Sequence, residues 1–154
     1  MAWRSNTAKA AEASLHKGLE FNPQFPTVHY SIALTHLLRN EPEKGLVEAQ
    51  LEPDRLFRLG ALTAVYHALG RKAESDAALR ELTEKYTNTN PNMIAACYAY
   101  RGEVDQAMRW LEQAYISHDA GLAVMLQTPL LRPLAHDRRY QVFLRKMNLP
   151  THTG

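Results

Sequence analysis

The sequence has a single cysteine, Cys97, and no excess of one charge, since 18 Lys and Arg residues stand against 16 Asp and Glu residues. One thiol cannot form an internal disulfide or a cysteine zinc cluster. A formal net charge of +2 produces no strong long-range field, so nucleic acid is not an expected partner. No apolar run approaches the roughly 18 residues of a membrane helix, and no membrane partner is expected. The N-terminus also has no apolar core of signal-peptide length, which favours a cytoplasmic protein.

The motifs of catalysis and metal binding are also missing. The sequence contains no HExxH pair, no glycine-rich phosphate loop and no GxSxG elbow. His29 and His36 lie seven positions apart, too far to bind one ion together, and a packed core histidine is expected at His36. Cys97 lies in the apolar stretch IAACYAY, which predicts a buried structural thiol. We therefore expect no enzyme, no metal, no cofactor and no catalytic residue.

What the sequence does contain is an internal repeat, carried by residues 59–82 and 91–114. Each segment has a small residue, a tyrosine three positions on and a glycine four beyond that, followed by a second small residue and a leucine. The pairs, each 32 positions apart, are Thr63 and Ala95, Tyr66 and Tyr98, Gly70 and Gly102, Ser75 and Ala107, and Leu79 and Leu111. Apolar residues recur at three- and four-residue steps on both sides of the glycine. Each segment therefore predicts two helices joined by a turn, and Tyr98 and Leu111 are expected in the core of the later hairpin, the third of the chain.

A weaker copy comes earlier in the chain, with Ala33, His36 and Asn40 at the positions of the small residue, the tyrosine and the glycine. Pro42 is expected to open its second helix, where a missing N–H costs nothing. Before it, residues 13–23 read as the end of another second helix. The chain is therefore expected to begin within a repeat. It would then be a fragment of a longer protein, or a partner would cover this end; the alternative is a short protein whose first helix is its cap.

This order of residues resembles the tetratricopeptide repeat, a helix–turn–helix unit of about 34 residues. The resemblance implies an all-α fold, a right-handed α-α superhelix of antiparallel helical hairpins (a tetratricopeptide-like solenoid) with a C-terminal capping helix. It implies a single domain over residues 1–154. Its parts would be a partial repeat at 6–22, repeats at 26–53, 56–86 and 88–117, and a C-terminal cap at 118–150.

Residues 118–154 depart from the repeat, with proline breaks at Pro129 and Pro133. A last helix is expected to start near Asp137, a good N-cap residue. Its apolar face would carry Tyr140, Phe143, Leu144 and Met147, and its exposed face Arg138, Arg139, Arg145 and Lys146. The run TPLLRPL and the acidic–basic–aromatic segment after it resemble the C-termini of bacterial multidomain signalling proteins. In those, a tetratricopeptide region follows a nucleotide-cyclase-type or DNA-binding regulatory domain, often with a TolB-like segment between. That resemblance implies a sensory or scaffolding region.

The function expected from the repeat is protein–protein interaction, with a peptide or partner domain held in a concave groove lined by the first helices of the hairpins. Aromatic and apolar anchors with a few polar groups suit such recognition. The candidate groove residues are Thr27, Tyr30, Leu34, Leu37, Leu38, Phe57, His67, Asn92, Ala96 and Tyr100. The alternative is a regulatory segment of a larger signalling protein, acting as a homodimer that positions its upstream domain.

Overall fold

The computed structural model describes the backbone of residues 2–151, and the side chains of residue 7 and residues 9–151. The predicted domain limits at residues 1 and 154 lie outside this range. Every regular element among the described residues is helical, which confirms the all-α class. By internal packing the chain forms two compact units, Met1–Glu81 and Leu82–Gly154, and the division falls within one helix.

Ten helical elements follow one another in the described range. They are α1 (Ala2–Phe21), α2 (Val28–Leu38), α3 (Pro42–Leu51), α4 (Arg55–Ala68), α5 (Lys72–Tyr86), α6 (Pro91–Tyr100), α7 (Val104–Ile116), α8 (Leu122–Met125), a 3-10 helix (Pro129–Leu134) and α9 (Arg138–Lys146). Pro42 and Pro91 each occupy the first turn of a helix, where the missing N–H has no intrahelical partner to lose. None of these helices is long and apolar enough to cross a membrane.

The first helix of each predicted hairpin ends in the same turn. The left-handed residue of that turn is Asn40 (φ 59°) after α2, Gly70 (φ 71°) after α4 and Gly102 (φ 77°) after α6. Its N–H bonds to the carbonyl three residues back, and the next N–H bonds to the carbonyl five back, as in Glu41 N–H to His36 O at 2.9 Å. This pair of bonds is the Schellman motif, which satisfies carbonyls that a helix end leaves unpaired. The predicted turn positions are confirmed.

The small residues of the repeat mark where the two helices of a hairpin cross. In the α2–α3 pair, a Cβ on Gly45 would lie 3.3 Å from the Ala33 carbonyl oxygen. In the α4–α5 pair, the Ser75 hydroxyl donates to the Thr63 carbonyl at 2.8 Å. Both contacts join residues twelve positions apart, so the two hairpins cross at equivalent positions. A larger side chain at either crossing would push the helices apart.

Unit 1 packs α2, α3 and α4 against one another, with α1 against α2. Its fully buried side chains include Ile32, Ala33, Ala49, Ala61, Ala64 and Val65. The rings of Tyr30 on α2 and Phe57 on α4 meet edge to face with centroids 5.3 Å apart. The first helices of two successive hairpins therefore lie side by side.

Unit 2 packs α6 against α7 and against the 3-10 helix, and α7 against α9. Its core includes Ile94, Leu111, Leu130, Leu134 and Phe143. No α-helix runs through Pro129 or Pro133, as the predicted breaks require, and both prolines lie within the 3-10 helix. A proline ring fixes φ near the value that a short 3-10 turn uses.

The start of α9 agrees with the sequence. Asp137 is its N-cap, and the carboxylate accepts the Arg139 N–H at 2.8 Å. Tyr140, Phe143 and Leu144 are buried, and Arg138 and Arg139 are exposed. Met147, in contrast, is only partly buried.

Two further expectations about burial have different outcomes. Cys97 and His36 are buried, as the sequence predicts. Tyr98 was expected in the core of the third hairpin, but it is only partly buried, whereas Leu111 in the same hairpin has no exposed surface. The tyrosine position of the repeat therefore lies at the margin of the core.

Candidate partner-binding surfaces

The ten candidate groove residues divide by burial. Tyr30, Leu34, Asn92 and Ala96 are buried, and their side chains pack within the protein. Thr27, Leu37, Phe57 and Tyr100 are partly exposed, and Leu38 and His67 are exposed. In unit 1 the candidates with exposed surface therefore lie just before α2, at the last turn of α2 and on α4, and in unit 2 the partly exposed candidate is Tyr100 of α6. The phenol of Tyr100 is half-buried, which raises its pKa.

The N-terminus of α2, where Thr27 and Tyr30 lie, is held by a residue from the far end of the hairpin. Glu52 directly follows α3 and has no exposed surface. Its carboxylate accepts the backbone N–H of Thr27 at 3.1 Å and of Tyr30 at 3.0 Å, and also that of Asp54 at 3.1 Å. Three N–H donors thus satisfy the buried carboxylate oxygens, and two of these donors are N–H groups that the start of a helix leaves without an intrahelical partner.

The N-terminus of α6 is held in an equivalent way. Asp119 follows α7, and its Oδ2 accepts the backbone N–H of Asn92 at 3.1 Å and the side-chain amide of Asn92 at 2.5 Å. Its Oδ1 accepts the Gly121 N–H at 2.9 Å. Asn92 was predicted to face a partner, but the structure gives its side chain this internal role.

A cluster of ionic side chains joins α1 to the first hairpin of unit 1. Glu12 of α1 pairs with Arg39 and lies 3.7 Å from Nε2 of His36. Nδ1 of His36 lies 3.0 Å from Glu41, which also pairs with Arg39 and Lys44. The hydrogen bonds from His36 and then Lys44 hold the pKa of Glu41 below its ordinary value. The cations and carboxylates of this cluster are paired with one another. We therefore interpret the cluster as a structural link between α1 and the first hairpin.

No group of three or more potential ligands is arranged to hold a metal ion within the described part of the chain. His29 and His36, the pair weighed from the sequence, each contact a carboxylate of their own. Nδ1 of His29 lies 2.7 Å from Glu48.

A second surface lies on α7 and α9 of unit 2, two helices on which the sequence predicts no binding site. It is an open cleft between α7 and α9, which we call the α7–α9 cleft. It is lined by Asp105, Met108, Arg109, Glu112, Gln113, Ile116, Arg138, Arg139 and Val142. Ile116 and Val142 are 66% and 53% exposed. Two large apolar side chains on neighbouring helices therefore face solvent.

Two ion pairs cross the α7–α9 cleft. Arg139 donates to Asp105 at 2.7 Å and Lys146 donates to Glu112 at 2.8 Å. The two residues of each pair are 34 positions apart in the sequence. Because this separation is the same for both pairs, α7 and α9 run parallel. Arg139 also bonds Asp137, and the two carboxylates raise the pKa of its guanidinium. The same contact with Arg139 lowers the pKa of Asp137.

The basic residues of this cleft are visible in the sequence, where they predict a solvent-exposed helix face and no binding site. The basic residues of α9 were placed outward correctly. The exposed apolar residues Ile116 and Val142 were missed, because only the packing of α9 on α7 brings them together.

Comparison of the chain with protein-family models, with curated proteins and with solved structures finds no match.

Proposed function

We propose that the chain is a tetratricopeptide-like interaction module that binds a peptide or a partner domain through the first helices of its hairpins. The observation that carries the proposal is the recurrent hairpin crossing, in which Gly45 meets Ala33 and Ser75 meets Thr63 at the same twelve-residue spacing. A repeated unit that cannot bury its apolar face alone must stack on a neighbour. Proteins built from such stacked units present extended binding surfaces.

The packing of unit 1 supports this proposal. Tyr30 and Phe57 bring the first helices α2 and α4 side by side, and α3 packs against both of them. Successive hairpins stack in this manner in repeat proteins, where each unit contacts its neighbours. The Schellman turns after α2 and α4 give both hairpins the same short connection.

The surface proposed to bind in unit 1 is the exposed part of α2 and α4. Leu38 is 49% exposed, and Leu37 and Phe57 are partly exposed. Exposed apolar side chains on helices that also carry polar ones such as His67 suit the recognition of a peptide by shape and apolar burial.

The proposal can be tested with a random peptide library displayed on phage and selected on the immobilised full chain. The dissociation constants of the selected peptides are then measured for the parent and for Leu38→Glu. A charge at the last turn of α2 should weaken binding at least about tenfold, because apolar contact area would be lost.

Val47→Glu is the matched control, since Val47 on α3 is 56% exposed and receives the same change on the second helix of the same hairpin. The proposal predicts that this variant binds like the parent. Equal losses in the two variants, or a Leu38→Glu variant that binds as tightly as the parent, would contradict it. Thermal unfolding of both variants checks that they remain folded.

A further inference from the structure

The charges of the α7–α9 cleft do not cancel. Its two carboxylates, Asp105 and Glu112, each have a cationic partner across the helix pair. Arg109 on α7 and Arg138 on α9 are both exposed, and their side chains have no ion pair or hydrogen bond with the described side chains (residue 7 and residues 9–151) or with the described backbone. The cleft therefore has two arginines without a carboxylate partner beside its exposed apolar side chains.

The apolar side chains of the cleft lie along α7 and α9 beside the two ion pairs. Asp105 and Glu112 are seven residues apart on α7, which corresponds to about two turns or ~10 Å. Met108 on α7 and Val142 on α9 lie between the two ion pairs along their helices. Ile116 lies one turn further along α7. A helix laid along this surface would bury apolar side chains at i, i+3, i+4 and i+7 spacing.

We propose that the α7–α9 cleft binds an acidic amphipathic helical segment of a partner protein. Its apolar face would cover the exposed side chains of Ile116 and Val142. Its carboxylates would pair with Arg109 and Arg138, whose guanidinium groups match carboxylates in a bidentate geometry. This proposal goes beyond the groove of the first helices, because it concerns a different surface with its own ligand chemistry.

The lining favours a protein segment over a phosphate polymer or an anionic membrane. Asp105 and Glu112 would repel closely spaced phosphates, whereas a helix can place each of its carboxylates beside an arginine. Exposed Ile116 and Val142 match apolar side chains, which a nucleic-acid backbone lacks.

The probe for this test is a fluorescein-labelled peptide of about two heptads, with leucine at helical spacing on one face and glutamate on the other. Its binding to the full chain is followed by fluorescence anisotropy. The parent chain should bind it, and Arg109→Glu combined with Arg138→Glu should weaken binding at least tenfold. Val142→Asp should weaken it as well. Replacing the glutamates of the peptide by lysines should reverse the preference, so that this peptide binds the double variant more tightly.

The matched control is Arg80→Glu combined with Arg132→Glu, two exposed arginines outside the cleft. It changes the net charge by the same amount and should leave binding unchanged. Equal weakening in the control pair would show non-specific attraction and overturn the proposal, as would a cleft variant that binds like the parent. Leu38→Glu is expected to leave this binding intact, so failure here is distinguishable from failure of the groove.

Two other occupants are outcomes of the same design. Vesicles with anionic headgroups, or single-stranded DNA, are tested against the same variants. If either binds the parent more tightly than the peptide does, and the cleft variant loses this binding, that probe replaces the proposed ligand. Sedimentation that showed a dimer of the parent and a monomer of the cleft variant would assign the surface to a second copy. Either result would overturn the acidic-peptide proposal.

Discussion

Asp119 holds the N-terminus of α6 through Asn92, which lies 27 residues earlier and gives both its backbone N–H and its side-chain amide to one carboxylate oxygen. The bond links the loop that follows the second helix of a hairpin to the start of the first. Glu52 makes the same kind of link for α2. Each of these hairpins is thus closed at its open end by one acidic side chain.

Replacing Asp119 by alanine should destabilise the protein by about 1–3 kcal/mol, because the amide of the buried Asn92 would lose its acceptor. Urea unfolding of the full chain, followed by circular dichroism, measures the change. Asp105→Ala is the matched control, since Asp105 forms an exposed ion pair whose loss should cost at most about 1 kcal/mol. Equal costs for the two substitutions would show that the bond to Asn92 contributes nothing special.

Gly102→Ala should destabilise the protein by about 1–2 kcal/mol, because an L side chain is disfavoured at its φ of 77°. A Cβ at this position would meet nothing within 4 Å, so the expected cost is conformational and not steric. Gly102→Asn should cost less, since asparagine adopts the left-handed region more readily. Denaturant unfolding of both variants tests the order, and a neutral alanine variant would contradict the turn geometry.

Leu111→Ala should cost about 2–5 kcal/mol, because Leu111 has no exposed surface and its truncation would leave a cavity. Chemical denaturation gives the difference directly. Ile116→Ala on the same helix is the matched substitution at an exposed position, and its cost should be much smaller. A loss at Leu111 below about 0.5 kcal/mol would refute its place in the core.

The stability of the protein should fall at alkaline pH because of Tyr140. Burial raises the pKa of its phenol, so above the ordinary value near 10 the unfolded chain loses this proton first. The unfolded state then binds fewer protons than the folded state, and the free energy of unfolding decreases as pH rises from about 10 through the folded-state pKa. Tyr140→Phe should reduce this decrease in urea titrations between about pH 9 and 12. Identical pH profiles for the parent and the variant would contradict the assignment.

Much of the local structure could be predicted from the sequence. The turn residues Asn40, Gly70 and Gly102 and the cap Asp137 follow from conformational preference and hydrogen bonding within a few residues. These signals are local, so a single sequence contains them. Leu111 follows from helical spacing alone.

The interactions that close and extend the hairpins could not be predicted in the same way. The contacts of Glu52 with Tyr30 and of Asp119 with Asn92 could not be predicted, because these partners lie more than 20 positions away and meet only once the hairpin has closed. The side chain of Tyr98 is less buried than predicted, because helical spacing indicates the direction of a side chain but not which residues cover it. The division between the two units within α5 leaves no mark in the sequence either.

The buried carboxylate of Glu52 also has a consequence for local unfolding, because the start of α2 and the end of α3 must open together. The amides of Thr27 and Tyr30 are bonded to Glu52 and not to a carbonyl of α2. In an isolated helix, N–H groups of the first turn are open to solvent and exchange their hydrogens quickly. Here their exchange requires that the end of α3 separates from the start of α2. The rate of hydrogen exchange at these two amides would therefore report the opening of the whole hairpin. Neither the start of α2 nor the end of α3 would fray alone.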